Sequence, residues 1–135
     1  MPLNILKEFE FVIASIHTGF KQTADKITRR IKKALSNPYV DILGHPTGRL
    51  LGKREPYEID LEEVLNTAKK YNKMIEINAH PERQDLYDIY CKKAKEMGIM
   101  LGIGTDSHSV SQLKYMSIGV TVARRGWLEK SNIIN

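Results

Sequence analysis

The chain has 135 residues, of which 41% are hydrophobic and 27% charged, with a mean hydropathy of −0.37. This composition fits one globular domain with an ordinary core and argues against a disordered chain. No apolar run approaches the roughly 20 residues that span a bilayer, and Met1-Pro2-Leu3-Asn4-Ile5 has no basic segment followed by an apolar one, so a cytoplasmic protein is expected. The net charge of +5, with an isoelectric point near 9.3, favours anionic partners such as nucleic acid or phosphorylated substrates.

In chain order, residues 9–16 are an apolar, β-branched run that predicts a buried first strand ending at His17. Ile27, Ile31, Ala34 and Leu35 then fall at helical spacing, and Asn37-Pro38 stops that helix. The basic run Arg29-Arg30-Ile31-Lys32-Lys33 lies on the helix face away from its apolar residues, as an ordinary solvated face would. A second strand is predicted at 39–43. A second helix carries Leu61, Val64, Leu65 and Ala68, with Asp60 and Glu63 forming a capping box.

Residues 74–77 predict a third strand, and 85–97 a third helix whose C-cap glycine is Gly98. The single cysteine, Cys91, lies in that helix, so packing is its expected role and no intrachain disulfide can form. Residues 99–103 predict a fourth strand. A helix capped by Ser109 and Gln112 follows, then a fifth strand at 118–122 and a short terminal helix at 127–134. The fold class is therefore α/β, with alternating βα units and parallel strands in one domain over 1–135.

In parallel α/β folds the active site gathers at the carboxyl ends of the strands. His17 follows the first predicted strand, His45 the second, Asn78 and His80 the third, Asp106 and His108 the fourth, and Arg124 and Arg125 the fifth. All four histidines of the chain thus fall on one edge. Each alone reads as a hydrogen-bonded structural histidine, and Thr105-Asp106-Ser107-His108-Ser109 alone as a helix-capping turn. Together with Asp106 the imidazoles suit a hydrolytic zinc, manganese or iron centre that lowers the pKa of a bound water.

Arg49, in Gly44-His45-Pro46-Thr47-Gly48-Arg49, and Arg83, in Ala79-His80-Pro81-Glu82-Arg83, place guanidinium groups beside this edge, where they would suit phosphate. The alternative is pairing with Asp85, Glu55 or Glu58 to stiffen the loops. Glu76, inside an apolar strand, must face a cation, a metal or hydrogen-bond donors, and reads as a supporting or substrate-loop residue ahead of a direct ligand. A structural ion pair is expected for Asp41.

Ala14-Ser15-Ile16-His17, Asp41-Ile42-Leu43-Gly44-His45-Pro46-Thr47-Gly48-Arg49-Leu50, Glu76-Ile77-Asn78-Ala79, Thr105-Asp106-Ser107-His108-Ser109 and the ending from Val120 to Leu128 resemble the later motifs of the PHP (polymerase and histidinol phosphatase) domain. The version resembled most is the one at the C-terminus of X-family DNA polymerases. The resemblance implies a (β/α)7-type barrel with a trinuclear metal centre that hydrolyses phosphoesters, and 3′-5′ exonuclease or related DNA-end processing in polymerase-linked members. It also implies that His17, His45, Asp106 and His108 are metal ligands and that Arg49 lies beside the metals. His80 departs from the family, where asparagine is expected; hydrogen bonding within the loop is its expected role, an added ligand the alternative.

The family's opening His-x-His pair, its next histidine and its bridging glutamate would all precede Leu6. The chain thus resembles the C-terminal half of a barrel, and a closed (β/α) barrel typically takes about 250 residues. The metal site is accordingly expected to be incomplete, with DNA or a small phosphate ester as substrate and the missing N-terminal half as partner. A second reading is a non-catalytic basic module that binds nucleic acid or a partner chain, or self-associates through its two free strand edges. A metal-dependent amidohydrolase, which uses similar ligands, is less favoured by the arginines and the positive charge.

Overall fold

The structure, a computed structural model, describes residues 3–135, so Met1 and Pro2 of the N-terminal stretch lie outside the described residues. A short helix α1 (Leu3–Leu6) precedes strand β1 (Ile13–Ala14), and helix α2 (Ala24–Leu35) leads to strand β2 (Ile42–Leu43). Helix α3 (Leu61–Lys70), strand β3 (Met74–Asn78), helix α4 (Asp88–Glu96) and strand β4 (Leu101–Gly104) continue the alternation. A 3₁₀ turn (Val110–Tyr115), helix α5 (Met116–Arg125) and a second 3₁₀ turn (Lys130–Asn132) close the chain. The architecture is α/β, as expected.

The four strands are parallel and ordered β1-β2-β3-β4. This order runs straight, without the reversal that marks a doubly wound sheet, so the strands follow one another as they do around a barrel wall. Leu43 pairs with Ile75 and Ile75 with Leu101, which sets these side chains on one face. There they join Ile27, Ile31, Leu35, Val64, Leu65 and Ala94 from the helices in one buried core. Gly119 brings α5 close to the sheet, since a Cβ there would strike Ile103 and Ala79.

The opposite face carries Ile13, Ile42, Glu76, Gly102 and Gly104, in register. It floors an open hollow of about 310 Å3 that Phe11 and Ile134 also line. Phe9, Phe11 and Ile13 stand exposed on alternate residues, at 57%, 45% and 55%. The expected buried strand over 9–16 is therefore a two-residue strand with one apolar face in solvent. The last strand edge is partly covered rather than free: the Ile134 amide donates to Leu101 O at 3.0 Å, and the Asn135 amide group exchanges two hydrogen bonds with Ile103.

The predicted strand over 118–122 is part of α5. Gly119, Val122 and Ala123 are buried while Val120 and Thr121 are exposed, a helical period that packs one face on the sheet and overrides the β-preference of the branched side chains. Arg124 and Arg125 thus sit in the last turn of a helix, where positive charge complements the helix dipole. The expected terminal helix is only the second 3₁₀ turn. Helix α4 begins at Asp88 rather than 85, because Asp85 exchanges backbone hydrogen bonds with Asn78.

The caps are mixed. Asp60 accepts the Glu63 amide at 2.8 Å, but its own amide donates to Thr28 Oγ1 and Glu63 pairs with Lys32 instead of closing the box. Ser109 caps nothing with its side chain; Gln112 Oε1 accepts the His108 amide at 2.6 Å, one residue earlier than expected. Gly98, at φ +74°, follows α4 as predicted. On α2, Arg29 pairs with Asp25 and Lys32 with Glu63, consistent with a solvated face. Cys91 is buried within α4. No described helix is long and apolar enough to cross a membrane.

Candidate functional site

Each of the four strands ends beside a histidine. His17 lies three residues beyond β1, His45 two beyond β2, His80 two beyond β3 and His108 four beyond β4. The rings of His17 and His45 meet edge to face with centroids 5.1 Å apart. His17 is exposed and His45 buried.

His45 is fixed through its backbone. Its amide donates to Glu76 Oε2 at 2.6 Å, and Glu76 also accepts from Asn78 Nδ2 at 3.4 Å. Glu76 thus faces donors, and the expected compensation for its burial is present; burial still raises its pKa. A Cβ at Gly104 would strike Glu76 Oε1, so the bare backbone of β4 makes room for this carboxylate. Burial and the nearby Arg83 charge push the His45 imidazole down to about 4, which keeps it neutral at physiological pH. Its Nδ1 is buried and has no hydrogen-bond partner among the described residues.

Asp85 does work that sequence reasoning missed. Fully buried, its Oδ2 accepts the amides of Thr47 and Gly48, each at 2.9 Å, and so ties the loop after β2 to the segment after β3. Burial pushes its carboxyl up to about 6, against the opposing effect of those donors. Tyr57 completes the loop's support: its hydroxyl donates to Pro46 O at 2.7 Å and its ring packs where a Cβ on Gly48 (φ +62°) would lie. The sequence offers Asp85 only as a partner for Arg49 or Arg83, and its binding of the Thr47 and Gly48 amides has no local sequence signal.

Arg83 Nε donates to Asp106 Oδ2 at 2.9 Å, while Arg83 Nη1 is buried without a partner among the described residues. His108 Nδ1 lies 2.8 Å from Asp106 O. A carbonyl only accepts, so Nδ1 carries the proton and a neutral ring presents Nε2 as a free donor pair. His80 Nδ1 accepts the Glu82 amide at 3.3 Å, its amide donates to Asn78 Oδ1 at 3.1 Å, and its ring meets Tyr115 edge to face.

Arg49 pairs with none of Asp85, Glu55 and Glu58. Its Nε donates to Arg83 O at 2.6 Å, its Nη2 to Gln84 O, and its guanidinium lies 4.9 Å from the Tyr87 ring centroid. Asp41 makes no ion pair among the described residues either; its carboxylate accepts the Val12 amide at 2.8 Å and holds β1 to β2. Among the described residues, no three His, Cys, Asp or Glu side chains converge closely enough to hold one metal ion. The donors present do suit a divalent cation as parts of a larger set: adjacent imidazoles, an unsatisfied buried Nδ1 and a carboxylate beside a tautomer-fixed histidine.

Fold and site together define a parallel α/β protein whose strand ends gather imidazole, carboxylate and guanidinium on one edge. No protein-family model matches the chain. It is 46% identical over 132 residues to the DNA polymerase/3′-5′ exonuclease PolX of Bacillus subtilis (strain 168), covering 98% of this chain and 23% of that protein. It is 34% identical over 144 residues to a probable phosphatase of Thermoanaerobacter sp. (strain X514), covering 100% of this chain and 56% of the relative. A probable phosphatase of Caldanaerobacter subterraneus subsp. tengcongensis is 38% identical over 117 residues, 80% of this chain and 44% of that protein. The chain thus spans about half the length of the phosphatases it matches and less of the polymerase.

Proposed function

We propose that the chain is the C-terminal part of a PHP-type metal-dependent phosphoesterase, acting on phosphate esters and, in its finer form, on DNA 3′ ends. The observation that carries this reading is the placement along one strand-end edge of His17, His45, Asp106 and His108, with Arg83 beside Asp106 and its buried Nη1 without a partner among the described residues. The names of the relatives, an exonuclease-bearing polymerase and probable phosphatases, support it.

Divalent cations, whether zinc, manganese or iron, for which His17, His45, Asp106 and His108 supplied part of the ligand set would provide Lewis-acid polarisation of the phosphoester. The chain's own residues set the stage for it. Burial keeps His45 neutral and therefore a competent ligand, and Glu76 and Asp85 hold the backbone that carries it. Arg83 offers Nη1 to a non-bridging phosphate oxygen, where a guanidinium stabilises developing charge. Arg49, bound to the carbonyls of Arg83 and Gln84, braces that segment.

The test is metal content together with hydrolysis of a model phosphodiester by the wild-type chain and by a His45→Ala, Asp106→Ala double variant. Loss of bound metal in the variant is expected; retention of both metal and activity overturns the proposal. A second reading, a nucleic-acid or partner-binding module without catalysis, is favoured by the half-exposed apolar residues Phe9, Phe11 and Ile13 leading into the edge strand β1, which suit packing against a further segment of a longer chain or of another copy. Salt-sensitive DNA affinity that survives chelation, with no hydrolysis, would select it.

A further inference from the structure

A cavity of about 350 Å3 opens between the 84–88 segment and α5, lined by Arg49, Gln84, Tyr87, Asp88, Thr121 and Arg125. It includes none of His17, His45, Asp106 and His108. Arg49 is held there as a rigid fork: Nε and Nη2 are anchored on two backbone carbonyls, and the guanidinium plane lies against Tyr87. Its remaining nitrogen, Nη1, has no hydrogen-bond partner, and no carboxylate forms an ion pair with Arg49, among the described residues. Arg125 contributes a second guanidinium, paired through Nε with Asp88 at 2.9 Å. The nearby Asp85 carboxylate is turned onto the Thr47 and Gly48 amides instead. Two guanidiniums against one carboxylate leave the lining positive, with the ordering cost of Arg49 already met by its carbonyl anchors.

We propose that this cavity is a phosphate-binding site, in which Arg49 Nη1 and the Arg125 guanidinium take the oxygens of a phosphate group, free or carried by a nucleic-acid strand. The inference uses none of the residues assigned to a metal and stands whether or not the chain hydrolyses phosphoesters.

Binding is measured in chelator, so that no metal contributes, by anisotropy of a labelled oligothymidylate and by calorimetry with inorganic phosphate. Arg125→Ala should weaken binding by about tenfold, the worth of a charge-assisted hydrogen bond. Asp88→Asn should tighten it, because it removes the competing carboxylate and releases Arg125. Glu129→Gln makes the same charge change at the exposed Lys95 pair and should alter nothing. The same pattern with both ligands supports a general phosphate site, and the pattern with the oligonucleotide alone supports the site with a strand as its source. Equal effects of Asp88→Asn and Glu129→Gln, or no effect of Arg125→Ala on either ligand, overturns it.

Discussion

Glu76 accepts the backbone amide of His45 at 2.6 Å, so a carboxylate in the middle of β3 fixes the second residue beyond β2. The same carboxylate occupies the space over Gly104 on β4. Three neighbouring strands thus meet at one side chain on the face that no described helix covers.

Gly104→Ala should therefore destabilise the fold by displacing Glu76, and Glu76→Ala by leaving the buried His45 amide unpaired, each by about 1–3 kcal/mol. The two effects share one cause, so the double variant should lose less than both combined. Urea denaturation of the four proteins measures the coupling; strict additivity would show that Gly104 does not act through Glu76.

Asp85 and His45 make opposite pH contributions to stability in metal-free buffer. Burial raises the Asp85 carboxyl from its ordinary 3.8 to about 6, so its contribution is full below 3.8 and is lost as pH rises through 6. Burial and Arg83 lower His45 from 6.5 to about 4, so its contribution is present above 6.5 and is lost as pH falls through 4. The buried Glu76 carboxyl, also raised, adds a contribution of the Asp85 sign to the wild type and to both variants, so each variant is compared with the wild type. Relative to the wild type, Asp85→Asn should make stability rise with pH by about 3 kcal/mol more across this range, and His45→Gln by about 3 kcal/mol less. Chemical denaturation at several pH values checks the signs, and slope changes of the same sign in both variants would refute the assignment.

Gly48 has φ +62° and the Tyr57 ring where its Cβ would be. Gly48→Ala is expected to cost about 2 kcal/mol or more, from backbone strain and overpacking together. Tyr57→Phe, which keeps the ring and loses only the bond to Pro46 O, should cost about 1 kcal/mol. Thermal unfolding ranks the two.

Arg83 holds the Asp106 carboxylate that the proposed metal needs. Arg83→Met should raise zinc or manganese affinity up to about fivefold, because a partly exposed ion pair is worth up to about 1 kcal/mol. The same change should weaken binding of a phosphate-ester inhibitor. Calorimetric titration with the metal alone, then with the inhibitor, separates the two effects; reduced metal affinity would mean that Arg83 positions Asp106 rather than competes for it.

Much of this protein is legible in the residue order, because periodicity and punctuation are local. Ile27, Ile31 and Leu35 mark α2 at helical spacing, Asp60 and Gly98 mark helix ends, and the histidines follow the runs that became β1 to β4. What local pattern could not decide was which face of a run would be covered. Ile118 to Val122 has the branched side chains of a strand, yet Gly119 lets it lie close on the sheet as a helix. Phe9, Phe11 and Ile13 look buried by composition, yet each keeps about half of its surface exposed.

Partners across the strand ends were equally out of reach of the sequence. Glu76 to His45 spans 31 positions and Asp85 to Thr47 spans 38. For Arg49 a phosphate was the expected partner and a carboxylate the alternative; within the chain it is held by the carbonyls of Arg83 and Gln84. Sequence alone determined the alternation of elements and the placing of imidazole and carboxylate at strand ends, because a strand's end and a helix's cap are set by neighbours in the chain. Tertiary structure decided which acids hold the loops, which guanidinium meets Asp106 and which apolar face stays open, because desolvation and hydrogen bonding between distant segments exist only once the sheet has formed.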